Sequence, residues 1–240
     1  MAPPFSQPHI EPSPKRVRVL FGGKYVVDTK QAKLVWLKPN YPYYFFDAAD
    51  VPTEFLQQAS KSAESENYDL VVGARKAENA VTKYLQGDLA GLVQITMGAV
   101  DAWFEEDEQV FVHPKDPYKR VDVLQSSRHV RIVVNGVEVA NTTKPRLLFE
   151  TSLPVRTYIP KTDCHMDLLK PTDLTTQCPY KGVANYYSVA LSTGQVFDNI
   201  VWWYRVPLPE CADIKGYVAF YDEKVDTYFD GVLQARPGQK

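Results

Sequence analysis

The sequence is poor in cysteine, and its cysteines form no recognisable pairs. Cys164, Cys178 and Cys211 are the only three in 240 residues, and none belongs to a C-x-x-C pair. An odd count at these spacings argues against a disulfide framework, and a structural zinc site wants four ligands in short paired spacings. The four histidines, His9, His113, His129 and His165, do not supply that spacing, and only Cys164 and His165 are adjacent. Neither metal nor cofactor is expected. Excess charge of one sign is also missing: 27 Lys and Arg against 29 Asp and Glu leave a net charge of -2. That balance gives no electrostatic footprint for nucleic acid. No apolar run approaches the roughly 20 residues that span a bilayer. The opening "MAPPFSQPHIEPSPKR" lacks an apolar signal-peptide region. Residues 1–15 read as a disordered leader, and a cytoplasmic address without nucleic-acid or membrane partners follows as the expectation.

What is present is a duplication. "RVRVLFGGKYVVDTKQAKLVWL" from Arg16 matches "HVRIVVNGVEVANTTKPRLLFE" from His129, 113 positions later. Val17 aligns with Val130, Gly23 with Gly136, Leu34 with Leu147 and Trp36 with Phe149. A second pair, "GLVQITMGAVDAWFE" from Gly91 and "GYVAFYDEKVDTYFD" from Gly216, is 125 positions apart, so the second copy is longer by 12. Two copies of one module fit this scale better than a solenoid, whose periods are shorter. The modules are read as 16–126 and 127–240. Each opens as a β-hairpin around Gly-Gly or Asn-Gly, residues that accept the positive φ favoured by twisted strand pairs. Short β-rich runs punctuated by Pro, Asp, Asn and Gly continue to the end. Helical spacing is read in "TEFLQQASKSAESE", with a shorter candidate in "KAENAVTKYLQ". The expected fold is mostly β: two tandem antiparallel modules, tent-like or small-barrel-like, with one or two short helices.

The runs "RVRVLFGGKYVVDT", "VHPKDPYKRVDVLQSSRHVRI", "LLFETSLPVRTYIP", "CPYKGVANYYSV" and "IKGYVAFYDEKVD", in this order, resemble the domain of unknown function 427 family. The resemblance covers nearly the whole chain after the leader as a tandem pair. It implies a compact β domain similar to the tent-like antiparallel folds, some of which hold zinc on cysteine pairs that this chain lacks. The first module departs from the pattern. It has no Cys-Pro-Tyr-Lys-Gly, and it replaces "ETSLPVRTYIP" by "KPNYPYYFFDA", with Lys38 and Tyr43 read as standing in for Glu150 and Arg156. One site, lined mainly by the second module, is therefore expected.

Its candidate residues each admit two readings. In "QCPYKG", Pro179 and Gly182 make a tight turn. Cys178 there is a nucleophile with Lys181 nearby, or a thiol filling space. Lys181 is an amine or general base, or the partner of a neighbouring carboxylate. On "LLFETSLPVRTYIP", Glu150 is a general base and Arg156 an anion clamp beside Tyr158, or the two charges pair across the Pro154 turn. "VHPKDPYKRVDVL" lacks a glycine-rich loop before a helix, which removes a P-loop or Rossmann reading, and is taken as a charge-laced linker. "EEDE" is read as a solvated hairpin tip. Tyr180, Tyr186 and Trp202, from the aromatic-rich second module, are assigned to ligand binding. The expectation is a cofactor-independent enzyme of lyase, isomerase, cyclase or hydrolase type acting on a small organic metabolite. A non-catalytic small-molecule-binding or protein-interaction β protein is the alternative.

Overall fold

A computed structural model describes residues 5–238. The chain divides into two compact units at Asp116/Pro117. The first contains β1 (His9–Pro12), β2 (Val17–Phe21), β3 (Lys24–Thr29), β4 (Lys33–Trp36), β5 (Tyr43–Asp47), β6 (Leu56–Lys61), β7 (Ser65–Val72), β8 (Arg75–Tyr84), β9 (Leu92–Ile95), β10 (Ala102–Glu105) and β11 (Glu108–Val110). The second contains β12 (Val121–Gln125), β13 (Val130–Val134), β14 (Val137–Thr142), β15 (Arg146–Glu150), β16 (Arg156–Pro160), β17 (Leu169–Cys178), β18 (Gly182–Ala190), β19 (Val196–Tyr204), β20 (Tyr217–Phe220), β21 (Asp226–Phe229) and β22 (Val232–Leu233).

Each unit has a seven-stranded and a four-stranded sheet, all antiparallel. The seven-stranded orders are β1-β4-β5-β9-β8-β7-β6 and β12-β15-β16-β20-β19-β18-β17, the same path in both copies. Neither sheet closes into a barrel among the described residues. Strand alternation sends successive side chains to opposite faces. On β13, Val130, Ile132 and Val134 are buried with Ile159, Val189, Val201, Val218 and Phe220, the main core between the two sheets. Val17, Val19 and Phe21 do the same with Phe46, Leu70, Val81, Val93 and Ile95 in the first unit. The outer face of the seven-stranded sheet carries a second cluster in each copy: Val35, Phe45 and Leu92 in one, and Leu148, Tyr158, Tyr186, Trp202 and Ala219 in the other.

Three expectations are corrected. His9–Pro12 is a strand paired with β4, so the disordered leader does not extend through residue 15; residues 1–4 lie outside the described residues. The units divide ahead of 126/127, because β12 is the edge strand on β15. The two helical readings are also overturned. "TEFLQQASKSAESE" forms a 3-10 turn at Thr53–Phe55, then β6 and the start of β7. β6 is an exposed edge strand, so no buried face imposes alternation on its helix-favouring Gln, Ala, Ser and Lys residues. "KAENAVTKYLQ" lies largely in β8. There Asn79 takes φ 49° at a register shift against β7. That bulge sends Ala77, Ala80 and Val81 into the main core, and with Tyr84 on the outer face the apolar residues fall at the i, i+3, i+4, i+7 spacing of a helix. The second copy bulges at the matching place, with Asn199 at φ 52° in β19. The only helical segments among the described residues are short 3-10 turns. No helix there is long and apolar enough to cross a membrane.

Candidate functional site

Cross-strand registers locate the twelve extra residues of the second copy. Phe45 and Tyr158 occupy matching positions, 113 apart, facing Gln94 and Ala219, which are 125 apart. Gln58 and Pro171 still match at 113, whereas Asn67 and Tyr186 match at 119. Half of the extra length therefore extends the β17–β18 hairpin, whose tip is Pro179-Tyr180-Lys181. Thr82 and Trp202 match at 120, so most of the remainder lies between β19 and β20, where Pro209–Ile214 forms a 3-10 turn. The two insertions meet: the Leu208 N–H donates to the Lys181 carbonyl at 3.2 Å. Gly182 allows this approach, with φ 96° and the Val206 carbonyl oxygen 3.3 Å from where a Cβ would stand.

Beneath the hairpin tip, Tyr158, Ala219, Trp202 and Tyr186 form one row across β16, β20, β19 and β18. Small Ala219 lets the indole reach across, so Trp202 Nε1 donates to the Tyr158 hydroxyl at 3.1 Å. The first module has Phe45, Gln94, Thr82 and Asn67 in the same row, and the aromatic floor is lost. Tyr186 exchanges a hydrogen bond with Thr176 Oγ1 at 2.8 Å. Burial holds the Tyr158 and Tyr204 phenols well above the ordinary tyrosine value, so both keep their protons. Tyr221 is pushed up to about 12, by burial and then by its hydrogen bond with Tyr186.

A cavity of about 200 Å³ opens over this floor. Glu150, Arg156, Tyr158, Lys181, Tyr186 and Trp202 all border it, joined by Leu148, Leu153, Pro154, Tyr204 and Tyr221. Six of the eight residues assigned from the sequence are thus brought together. Cys178 and Tyr180 belong to the same hairpin end but lie outside the lining; Tyr180 is buried and Cys178 half-buried.

Glu150 and Arg156 do not pair with each other across the Pro154 turn. Glu150, 8% exposed, accepts a hydrogen bond from Lys181 Nζ. Arg156 instead donates from Nη2 to Glu223 at 2.7 Å and from Nη1 to Glu223 and Asp222 at 3.0 and 3.3 Å. Burial works against the Arg156 charge, but Glu223 and Asp222 outweigh it and raise its proton affinity. The Arg156 hydrogen bond holds Glu223 below the ordinary carboxylate range, while burial pushes Asp222 above it. Arg156 also stands over the Trp202 ring, 5.6 Å from its centroid. Tyr204, Tyr221 and the Asp222–Glu223 pair were missed as site residues. The signal was available in "GYVAFYDEKVD", where an acidic pair directly follows an aromatic strand.

The first module carries none of these charges at matching positions. Leu37, not Lys38, occupies the place of Glu150, and Tyr43 that of Arg156, since the β4–β5 and β15–β16 registers coincide. Among the described residues no cluster of three or more His, Cys, Asp or Glu could hold a metal ion. The chemistry available is proton exchange at Lys181–Glu150 and hydrogen bonding by neutral phenols over an aromatic floor in which the Tyr158 and Trp202 rings meet edge to face, 84° apart.

No curated protein matches the chain. A family model described as "Domain of unknown function (DUF427)" matches twice, over residues 9–106 and 122–231, which correspond to the two β units. The chain therefore belongs to the DUF427 family as a tandem pair of its modules.

Proposed function

We propose that the second module is a cofactor-independent enzyme acting on a small organic metabolite that bears a ring or a carbonyl group. One observation carries this reading: both insertions that distinguish the second copy converge on Lys181, over an aromatic row the first copy lacks. The lining and its direct partners set two cations, Lys181 and Arg156, against three carboxylates, Glu150, Asp222 and Glu223. A multiply charged anion such as a phosphate ester is disfavoured by that balance, and an uncharged carbonyl compound suits it. In this proposal the ligand stacks on Trp202, and its oxygen takes a hydrogen bond from Lys181 or from Arg156 Nε–H. Glu150 removes a proton and the Lys181 ammonium returns one, the exchange that isomerisation, elimination and hydrolysis share.

The saturation of the charged groups by one another favours the second reading, a non-catalytic binding module. A single experiment separates them. The purified chain is incubated, without added metal or cofactor, with a mixture of ring- and carbonyl-bearing metabolites followed by mass spectrometry. Consumption of one compound by wild type but not by Glu150→Leu/Lys181→Met supports catalysis. Retention without conversion supports binding alone, and inertness of both proteins rejects the site.

A further inference from the structure

The first module has a cavity of its own, about 330 Å³, bordered among others by Tyr41, Tyr43, Gln94, Thr96, Trp103 and His113. At the register positions where the second module carries Arg156, Ala219 and Thr227, the first carries Tyr43, Gln94 and Trp103. Where Tyr221 and Asp222 follow β20, Thr96 and Met97 follow β9. The diverged copy has exchanged an ion cluster for ring surface, and no Lys, Arg, Asp or Glu borders the cavity.

The rings are held with their polar ends on protein partners. Tyr41 and His113 stack at 3.8 Å with planes 12° apart, and the Tyr43 hydroxyl meets that of Tyr41 at 3.4 Å. Tyr44 and Trp103 stack at 6.3 Å, with the Tyr44 hydroxyl donating to Glu105 and Trp103 Nε1 donating to the Met97 carbonyl. Glu105 is in turn paired with Lys15, so the nearby carboxylate is neutralised. The Tyr84 hydroxyl donates to Gln94 Oε1 at 3.1 Å, which leaves the Gln94 amide NH₂ as the donor for a ligand. A charged ligand entering here would lose hydration without meeting an opposite charge. A flat neutral one would bury its ring faces and satisfy Gln94.

We propose that the first module is a second, separate binding site for an uncharged planar aromatic or heteroaromatic compound of one or two rings, stacked beside Tyr41 and His113 with a hydrogen-bond acceptor on Gln94. This inference does not rest on the reading of the Lys181 site.

The test uses the full ¹⁵N-labelled chain, with 1-naphthol as the neutral probe at pH 7. Its ring-matched controls are 1-naphthoate and 1-naphthylmethylammonium. The expected result is saturable movement of the amide signals of Thr96, Met97 and His113 with a Kd below about 1 mM. Both charged controls should bind at least about tenfold more weakly. Thr96→Trp, a solvent-exposed position at the rim, should weaken binding by about tenfold or more while the remaining spectrum stays that of the folded protein. Movement confined to signals around Trp202 and Lys181 would overturn the proposal. So would unchanged affinity in Thr96→Trp, or binding of either charged control as tight as that of 1-naphthol.

Discussion

At the scale of single residues, the Glu150–Lys181 pair is the group on which both stability and the proposed chemistry depend. Both side chains are largely out of water, 6% and 13% exposed. Removing one partner strands the other as a buried charge, which costs about 3–5 kcal/mol, whereas replacing both by apolar groups of similar volume is close to neutral. Lys181→Ala and Glu150→Ala are therefore expected to lower the urea midpoint strongly. Glu150→Leu/Lys181→Met should restore it to near the wild-type value, Leu being what the first module already has at the position matching Glu150. Equal losses in single and double variants would contradict the pairing. This is also why loss of function in a single variant would not identify a catalytic group: the double variant is the clean probe. A second expectation concerns pH. Burial pushes Cys211 up to about 11 and Cys164 up to about 12. In the unfolded chain a thiol loses its proton near pH 8.5, so above that value the folded state binds more protons than the unfolded one. Stability should therefore fall as pH rises from about 8.5 towards 11. Urea midpoints measured from pH 7 to 10.5 check this; the decline should be shallower in Cys211→Ala, and a rise would contradict the sign.

At the scale of elements, the longer β17–β18 hairpin and the Pro209–Ile214 loop bring Lys181 into place. Gly182 is the joint: its backbone is left-handed, and a Cβ would press on the Val206 carbonyl at 3.3 Å. Gly194 has a similar φ of 85° but open space around it. Gly194→Ala should cost about 1 kcal/mol of backbone strain, and Gly182→Ala distinctly more, because the loop must also shift. Comparing their denaturation midpoints separates conformational strain from the close approach, and equal losses would show the hairpin and loop are not pressed together. The first hairpins were legible in the sequence, because Gly-Gly and Asn-Gly between alternating apolar residues leave few alternatives. β6 and β8 were not. An edge strand with no buried face, and a bulge at Asn79 that turns a period of two into one of three and four, both imitate a helix. Glu150, Arg156, Tyr158, Lys181, Tyr186 and Trp202 could be assigned to one place because the repeat shows what only one copy carries. Their partners could not: Asp222 and Glu223 come to Arg156 from a strand end 66 and 67 residues away, and local spacing holds no trace of that.

At the scale of the whole molecule, two copies of one family module have diverged into different surfaces on the same sheet path. The four buried clusters each draw on residues from one unit alone. A fragment spanning residues 117–240 is therefore expected to fold by itself, with amide signals at Tyr158, Tyr186 and Trp202 close to those of the full chain; a collapsed, unfolded spectrum would contradict it. The central claim is that the Lys181 cavity takes a small organic ligand. Equilibrium dialysis against a defined metabolite mixture, read by mass spectrometry, tests it most directly when wild type is compared with Glu150→Leu/Lys181→Met at matched thermal stability. The expected result is at least one ring- or carbonyl-bearing compound enriched or consumed by wild type and neither enriched nor consumed by the double variant. An identical profile for the two proteins would contradict the claim.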